Sequence, residues 1–418
     1  MAKFYEYQGK ELFKKSGIPI PEGIVAKSPE EAKQAAEKIG KPVVVKAQVW
    51  AGGRGKGGFV KFADTPEEAA QAAESIIGKV HRGLEVKMVL VEEKLAIKQE
   101  FYAGVIINSA QDVRAPVIMF SPEGGVEIES VSEDKMALLN VDVIKGLMPY
   151  DTIDMVLSMG VKGKLIRQFS DVVFKLFKMF QEYDCRSLEI NPLVLTEDGR
   201  VLAADCRMAV DDQALFRHPE LGIKIGREFL KEPTDFDLMG WSFEETDFRG
   251  TSYVAEMASP EEVSKGGYVG FHGIGGGAAM LGMDAMNRVG LKVADFADTS
   301  GNPTASKVYR VVKLILSQPG IEGYILAGFM MANQEQWHHA HGLVKALREE
   351  LPKKPGFPVV ILLCGNKEKE SQEILKEGLA GFGSRIEIYD REHVYDASFI
   401  GGRMKALVEE YRKERGVA

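Results

Sequence analysis

The second half of this chain alternates short apolar strands with helices, and that alternation restricts the fold more than any other feature. Past a boundary expected near residue 245, strands are predicted at 268–271, 292–296, 324–327, 359–363 and 385–389, with helical stretches between them. Strands separated by helices form a parallel sheet covered on both faces. Ligands of such sheets bind beyond the carboxyl ends of the strands. The chain is therefore read as α/β, with domains over 1–245 and 246–418.

At 418 residues and 45% hydrophobic composition the chain can bury several cores. Its formal charge of -8 argues against non-specific nucleic-acid binding, which rests on neutralising phosphates. No apolar run approaches the roughly 20 residues of a membrane span. The first residues lack an apolar signal core, and Glu6 and Glu11 argue against a transit peptide. Cys185, Cys206 and Cys364 have neither metal spacing nor a disulfide framework. The cytoplasm is the expected compartment, with neither nucleic acid nor membrane as partner.

In the first half, Ser28-Pro29-Glu30-Glu31 and Thr65-Pro66-Glu67-Glu68 predict capped starts of two Ala-rich helices. The run 42–49 reads as a buried strand and feeds the glycine-rich loop 51–58. Lys46 near that strand's end can hold its ammonium against phosphate oxygens. Gly53, Arg54, Gly55 and their neighbours let backbone N–H groups close over a phosphate chain. Strands are also expected at 86–92 and 101–108, bringing Glu92, Glu93 and Glu100 to a hinge. Taken on the residues alone, those carboxylates read as surface charge.

The run 163–182 predicts a helix with Leu165, Phe169, Val172, Leu176 and Phe180 on one face. A ribbon follows, with strands at 188–196 and 201–208 around a three-residue turn at 197–199. Counting outward from Thr196 opposite Arg200 sets Asn191 against Asp205 and Glu189 against Arg207. Hard oxygen donors of this kind suit Mg²⁺, which completes its shell with phosphate and water. A cross-strand salt bridge between Glu189 and Arg207 is the plainer alternative; because the ribbon is otherwise apolar, the metal reading is preferred.

In the second half, Gly275, Gly276, Gly277 and Ala278 lie between a strand and a helix, and Ser300 and Gly301 precede the next helix. Both segments could aim free N–H groups at an anion, or be tight turns. His338, His339 and His341 are expected to flank a buried helix face rather than bind metal.

Around Lys46, the Gly-Gly-Arg-Gly-Lys loop and Glu189-Ile190-Asn191-Pro192-Leu193-Val194, the chain resembles the β subunits of succinyl-CoA synthetases. The likeness continues through 123–129, 148–150 and 214–217 and covers nearly the whole chain. It implies an ATP-grasp domain followed by a CoA-ligase domain with a flavodoxin-like sheet. It implies ATP at Lys46, Gly53, Arg54, Gly55, Glu92 and Glu100, Mg²⁺ at Asn191 and Asp205, and CoA as co-substrate bound mainly by a partner. Glu189 would meet a phosphohistidine carried by that α-type subunit, in a hetero-oligomer such as α2β2.

The second domain departs from the succinate pattern at 274–277, 298–303 and 329–332. There it is similar to the citrate group, ATP-citrate lyase and citryl-CoA synthetase. That resemblance implies a citrate–CoA ligase large subunit, with Gly275, Gly276, Gly277, Ala278, Ser300, Gly301 and Asn333 around the acid. The group's paired arginines fall near Leu363 and Cys364, where this chain has none, so its carboxylate clamp is missing. A succinate or malate ligase is the closest rival. A CoA-independent ATP-grasp ligase and a non-catalytic nucleotide sensor are the more distant ones.

Overall fold

A computed structural model describes residues 2–109, 114–126, 128–223, 233–328, 334–383, 385–394 and 396–416. The chain divides into two compact units, Met1–Lys231 and Glu232–Ala418. The division precedes residue 245 because the helix Asp235–Ser242 belongs with the second unit. There the Trp241 indole donates to Val254 O at 2.7 Å, fastening the helix to the strand Tyr253–Glu256.

The first unit holds two main antiparallel sheets, besides the short antiparallel pair Val80–His81 and Leu84–Glu85. The larger runs, in spatial order, Ala2–Lys3, Arg207–Val210, Cys185–Thr196, Ile97–Asn108, Ala115–Ser121 and Ala137–Asn140, with Val201–Ala203 also paired to Cys185–Thr196. The helix Lys164–Glu182 buries Phe169, Val172, Val173, Leu176, Phe177 and Phe180 in the same core as that sheet. This is the face anticipated from its periodicity. The smaller sheet runs Gly23–Ala26, Val89–Glu93, Val43–Ala47, Val60–Ala63. Its core includes the helices Pro29–Ile39 and Pro66–Glu74. Their caps form as expected, Ser28 and Thr65 accepting from the N–H groups of Glu31 and Glu68 at 3.2 Å.

The ribbon keeps the predicted register, with Leu195 opposite Val201, Leu193 opposite Ala203, Glu189 opposite Arg207 and Leu188 opposite Met208. Its return strand is not continuous, however. Val201–Ala203 and Arg207–Val210 are separate, and the Asn191–Pro192 peptide opposite the gap is cis. Ala204 N still donates to Pro192 O at 3.1 Å, but its carbonyl accepts from Lys10 and Lys46 instead of a strand. The ladder is interrupted where side chains of other elements take over its acceptors.

The second unit has the expected parallel sheet, in the order Asp295–Asp298, Tyr268–Ile274, Tyr324–Gly328, Val359–Leu363, Ile386–Tyr389. The sequence reading missed the antiparallel edge strand Tyr253–Glu256, which pairs with Asp295–Asp298. It also merged Lys292–Val293 with its successor. Helices cover both faces: Ala305–Leu316 and Trp337–Glu350 share one core, Gly276–Arg288 and Ala397–Glu414 the other. Among the described residues no helix is long and apolar enough to cross a membrane.

Candidate active site

In the first unit, an ion cluster gathers around Lys46. The strand Val43–Ala47 pairs with Val89–Glu93, setting Val44 opposite Glu92 and leaving Lys46 two residues along on the same face. Lys46 Nζ donates to Glu92 Oε2 at 2.6 Å, Glu6 Oε1 at 3.0 Å and Ala204 O at 2.6 Å. Lys10 Nζ meets the same acceptors, at 2.7 Å to Glu92 Oε1, 2.8 Å to Glu6 Oε1 and 2.8 Å to Ala204 O. Arg54 folds back from its loop to Glu6 Oε2 at 2.7 Å, Ala47 O at 2.9 Å and Asp205 Oδ1 at 2.8 Å. Three cations and three carboxylates thus interlock.

Burial works against the charges of Glu6, Lys46 and Asp205, and pairing outweighs it at the first two. Burial tends to raise the Glu6 carboxyl, but Lys10, Lys46 and Arg54 hold it well below the usual carboxylate range. Burial likewise opposes the Lys46 ammonium, while Glu6 and Glu92 hold it above the ordinary lysine range. Asp205 moves the other way: burial and the charge of Glu6 raise it despite Arg54 and Lys46.

Glu92, read as surface charge from sequence, is 1% exposed and belongs to this cluster. Glu93 is also buried and pairs with Lys41 at 3.2 Å. Glu100 stands apart, its carboxyl raised by burial beneath the turn at Gly124 and Gly125. Gly53 is left-handed (φ 76), and a Cβ at Gly55 would meet no described atom within 4 Å. Glu6 and Lys10, absent from the sequence-based site, are among its most buried members. Their i,i+4 spacing was the available signal, but it usually marks a solvated pair.

The ribbon contributes a second group. Glu189 Oε1 lies 3.2 Å from Arg207 Nη1, and its Oε2 accepts from the Tyr102 hydroxyl at 3.2 Å. The cross-strand salt bridge considered as the alternative is thus present. Asn191 Oδ1 accepts from Gly125 N at 2.8 Å, and its Nδ2 donates to Val126 O at 2.9 Å. Asn191 and Asp205 both lie at the gap, outside the paired residues on either side, and their amide and carboxylate oxygens are hard donors of the type Mg²⁺ takes. Each now serves a protein donor, Gly125 N for Asn191 and Arg54 for Asp205. Among the described residues no group of three or more His, Cys, Asp or Glu gathers as a metal cluster.

In the second unit, Gly275 and Ser300 converge on Asp298. Gly275 N donates to Oδ1 at 2.9 Å and Ser300 Oγ to Oδ2 at 3.1 Å. Gly276, Gly277 and Ala278 open the helix Gly276–Arg288, and Gly301 is left-handed (φ 76) before Ala305–Leu316. Asn333 lies outside the described residues. The histidine expectation needs correction at His339, which is fully buried and bonds Thr299 Oγ1 at 2.9 Å. Thr299 also bonds His272 Nε2 at 2.7 Å, so these histidines structure the sheet edge. Burial pushes His339 down to about 3.

A model of the ATP-grasp domain matches residues 3–195. The GDP-forming succinate–CoA ligase subunit beta of Thermus thermophilus is 38% identical over 89% of this chain and 93% of its own length. The ADP-forming subunit beta of Ignicoccus hospitalis is 35% identical over 89% and 93%. Among solved structures, ATP citrate lyase from Methanothrix soehngenii, in complex with citrate and coenzyme A, superposes with a TM-score of 0.76. It covers 98% of this chain and 99% of that one at 18% identity, a likeness of fold.

Proposed function

Since the chain belongs to the succinate–CoA ligase β-subunit family of ATP-grasp acid–thiol ligases, we propose that it is the nucleotide-binding subunit of an ADP-forming citrate–CoA ligase. The overall reaction joins citrate and CoA as citryl-CoA while ATP becomes ADP and phosphate. The observation that carries the nucleotide role is the ion cluster, which fixes Lys46 and Arg54 beside the glycine-rich loop. ATP would be held by Lys46, Gly53, Arg54, Gly55, Glu92 and Glu100. Mg²⁺ would be held by Asn191 and Asp205, and would supply charge neutralisation at the transferring phosphoryl group.

The γ-phosphoryl group passes in this reading to a histidine on an α-type partner, then to the acid, and CoA displaces it as the thioester. Glu189, fixed by Tyr102 and Arg207, would orient that histidine from this side. The choice of citrate rests on the loops carrying Gly275, Gly276, Gly277 and Ala278, and Ser300 and Gly301, where the succinate pattern is lost. Succinate is the second reading, favoured by the names of the relatives at 35–38% identity.

The test co-expresses this chain with its partner and screens citrate, succinate and malate for CoA- and ATP-dependent ADP release. Citrate turnover is expected. A rate with succinate and none with citrate overturns the acid while leaving the ligase class intact. Thioester formation by this chain alone would overturn the partner-borne histidine.

A further inference from the structure

Lys307 is fully buried in the first turn of the helix Ala305–Leu316. Its Nζ donates to Asp247 O at 2.6 Å and Gly250 O at 2.8 Å, with Asp247 Oδ1 at 4.0 Å. A buried ammonium is tolerated only when paired and hydrogen-bonded, and these bonds fix the segment 247–250. Thr251 N adds a bond to Ser300 O at 2.8 Å. Gly250 packs so closely that a Cβ would stand 2.7 Å from Ser300 O and 2.8 Å from Pro303 Cα. The segment is a strap laid on the loop that follows Asp295–Asp298.

The strap presents Arg249. Its Nε donates to Asn302 O at 2.6 Å and its Nη2 to His338 Nε2 at 2.9 Å. Asn302 follows the strand Asp295–Asp298, and His338 follows Tyr324–Gly328. These strands flank Tyr268–Ile274 on either side, so Arg249 joins the loop after Asp298 to the first turn of the helix Trp337–Glu350, beside the strand that precedes Gly275. Among the described residues no carboxylate pairs with this guanidinium. Two carboxylates lie close by: Asp247, whose Oδ1 accepts from Arg249 N at 3.1 Å, and Glu335, whose Oε2 lies 3.6 Å from His338 Nε2 and 3.3 Å from the Trp337 indole nitrogen. Leu363 and Cys364, near which the citrate group carries its paired arginines, are buried and uncharged.

We propose that Arg249, strapped to the carboxyl edge of the parallel sheet by Lys307, is the cation that receives a carboxylate of the acid substrate. The assignment rests on the reading that the second unit binds the acid. His338 accepts from the guanidinium and so fixes the plane of its fork, leaving donors for a bidentate carboxylate. Lys307 is a positioning residue that acts through the strap.

The experiment uses the complex reconstituted with the α-type partner. Arg249→Ala is expected to raise the KM for the acid about 10- to 100-fold, the loss of a charge-assisted hydrogen bond. The KM for ATP and the phosphorylation of the partner by ATP stay within about twofold, and Arg249→Lys recovers part of the loss. Glu335→Gln should lower the acid KM. Lys307→Met should raise it without altering the ATP KM, and add little on top of Arg249→Ala. An unchanged acid KM in Arg249→Ala overturns the proposal. A wild-type complex inert toward all three acids would instead sink the ligase reading. The arginine is then judged by calorimetric titration of citrate into this chain, where no binding, or equal binding by wild type and Arg249→Ala, overturns it.

Discussion

Lys46 and Glu92 lie 2.6 Å apart in the buried floor of the first unit, and the glutamate is shared with Lys10 at 2.7 Å. The Lys46 ammonium has three donors, and Glu92, Glu6 and Ala204 O occupy three directions around it. An incoming phosphate oxygen must therefore replace one of these acceptors.

Replacing Lys46 with Met should abolish the phosphate contact yet spare the fold. Glu92 and Glu6 both keep Lys10, so neither carboxylate is left alone. A loss of about 1–3 kcal/mol in stability with at least a tenfold weaker ATP affinity is expected. Thermal unfolding paired with ATP calorimetry checks both, and full ATP affinity would remove Lys46 from the site.

Glu6 should matter more to stability than Lys46, because Lys10, Lys46 and Arg54 all depend on it. Glu6→Gln leaves buried cations short of charge and should cost roughly 3–5 kcal/mol. Its folded carboxyl sits well below the ordinary glutamate value of 4.5. Its contribution is thus present above about 4.5 and lost as the pH falls toward that depressed value. Urea titrations across pH 3–6 should show wild type losing more stability than Glu6→Gln as the solution is acidified.

Asp295 predicts the opposite slope. Burial pushes its carboxyl up to about 8, against the bonds from Gln318 and Phe271 N. The folded state therefore holds a proton that the unfolded chain releases near 3.8. Stability is full below that value and declines as the pH rises through about 8, by at most roughly 1.4 kcal/mol per pH unit. Asp295→Asn should flatten this dependence in denaturant titrations between pH 5 and 8.5. An unchanged slope would assign the pH dependence elsewhere.

Gly125→Ala should damage the site near Asn191. The residue is left-handed (φ 71), and a Cβ would stand 2.0 Å from Glu100 Oε2. Its N–H is also the donor that holds Asn191 Oδ1. The variant is expected to lose about 1–2 kcal/mol and to need several-fold more Mg²⁺ for half-maximal activity. Wild-type Mg²⁺ dependence would separate this turn from the metal-binding reading.

The parallel sheet was legible because each strand is a short apolar run punctuated by a helix, a pattern local enough to read. The ribbon register was legible too, since a three-residue turn at 197–199 fixes every later pair. What the sequence could not display is the gap at 204–206. It depends on Lys10 and Lys46, side chains brought from far along the chain to take Ala204 O. The same holds for Glu6 and Glu92, whose letters are those of ordinary surface charges. Tyr253–Glu256 escaped notice because four residues carry too little periodicity to stand out.

The interlocked cluster has a kinetic corollary. Lys10, Lys46 and Arg54 are matched in number by Glu6, Glu92 and Asp205, so from a distance their fields largely cancel. The cluster would then engage a nucleotide by contact rather than by long-range steering, and any salt dependence of capture should come from the rest of the chain, whose formal charge is -8.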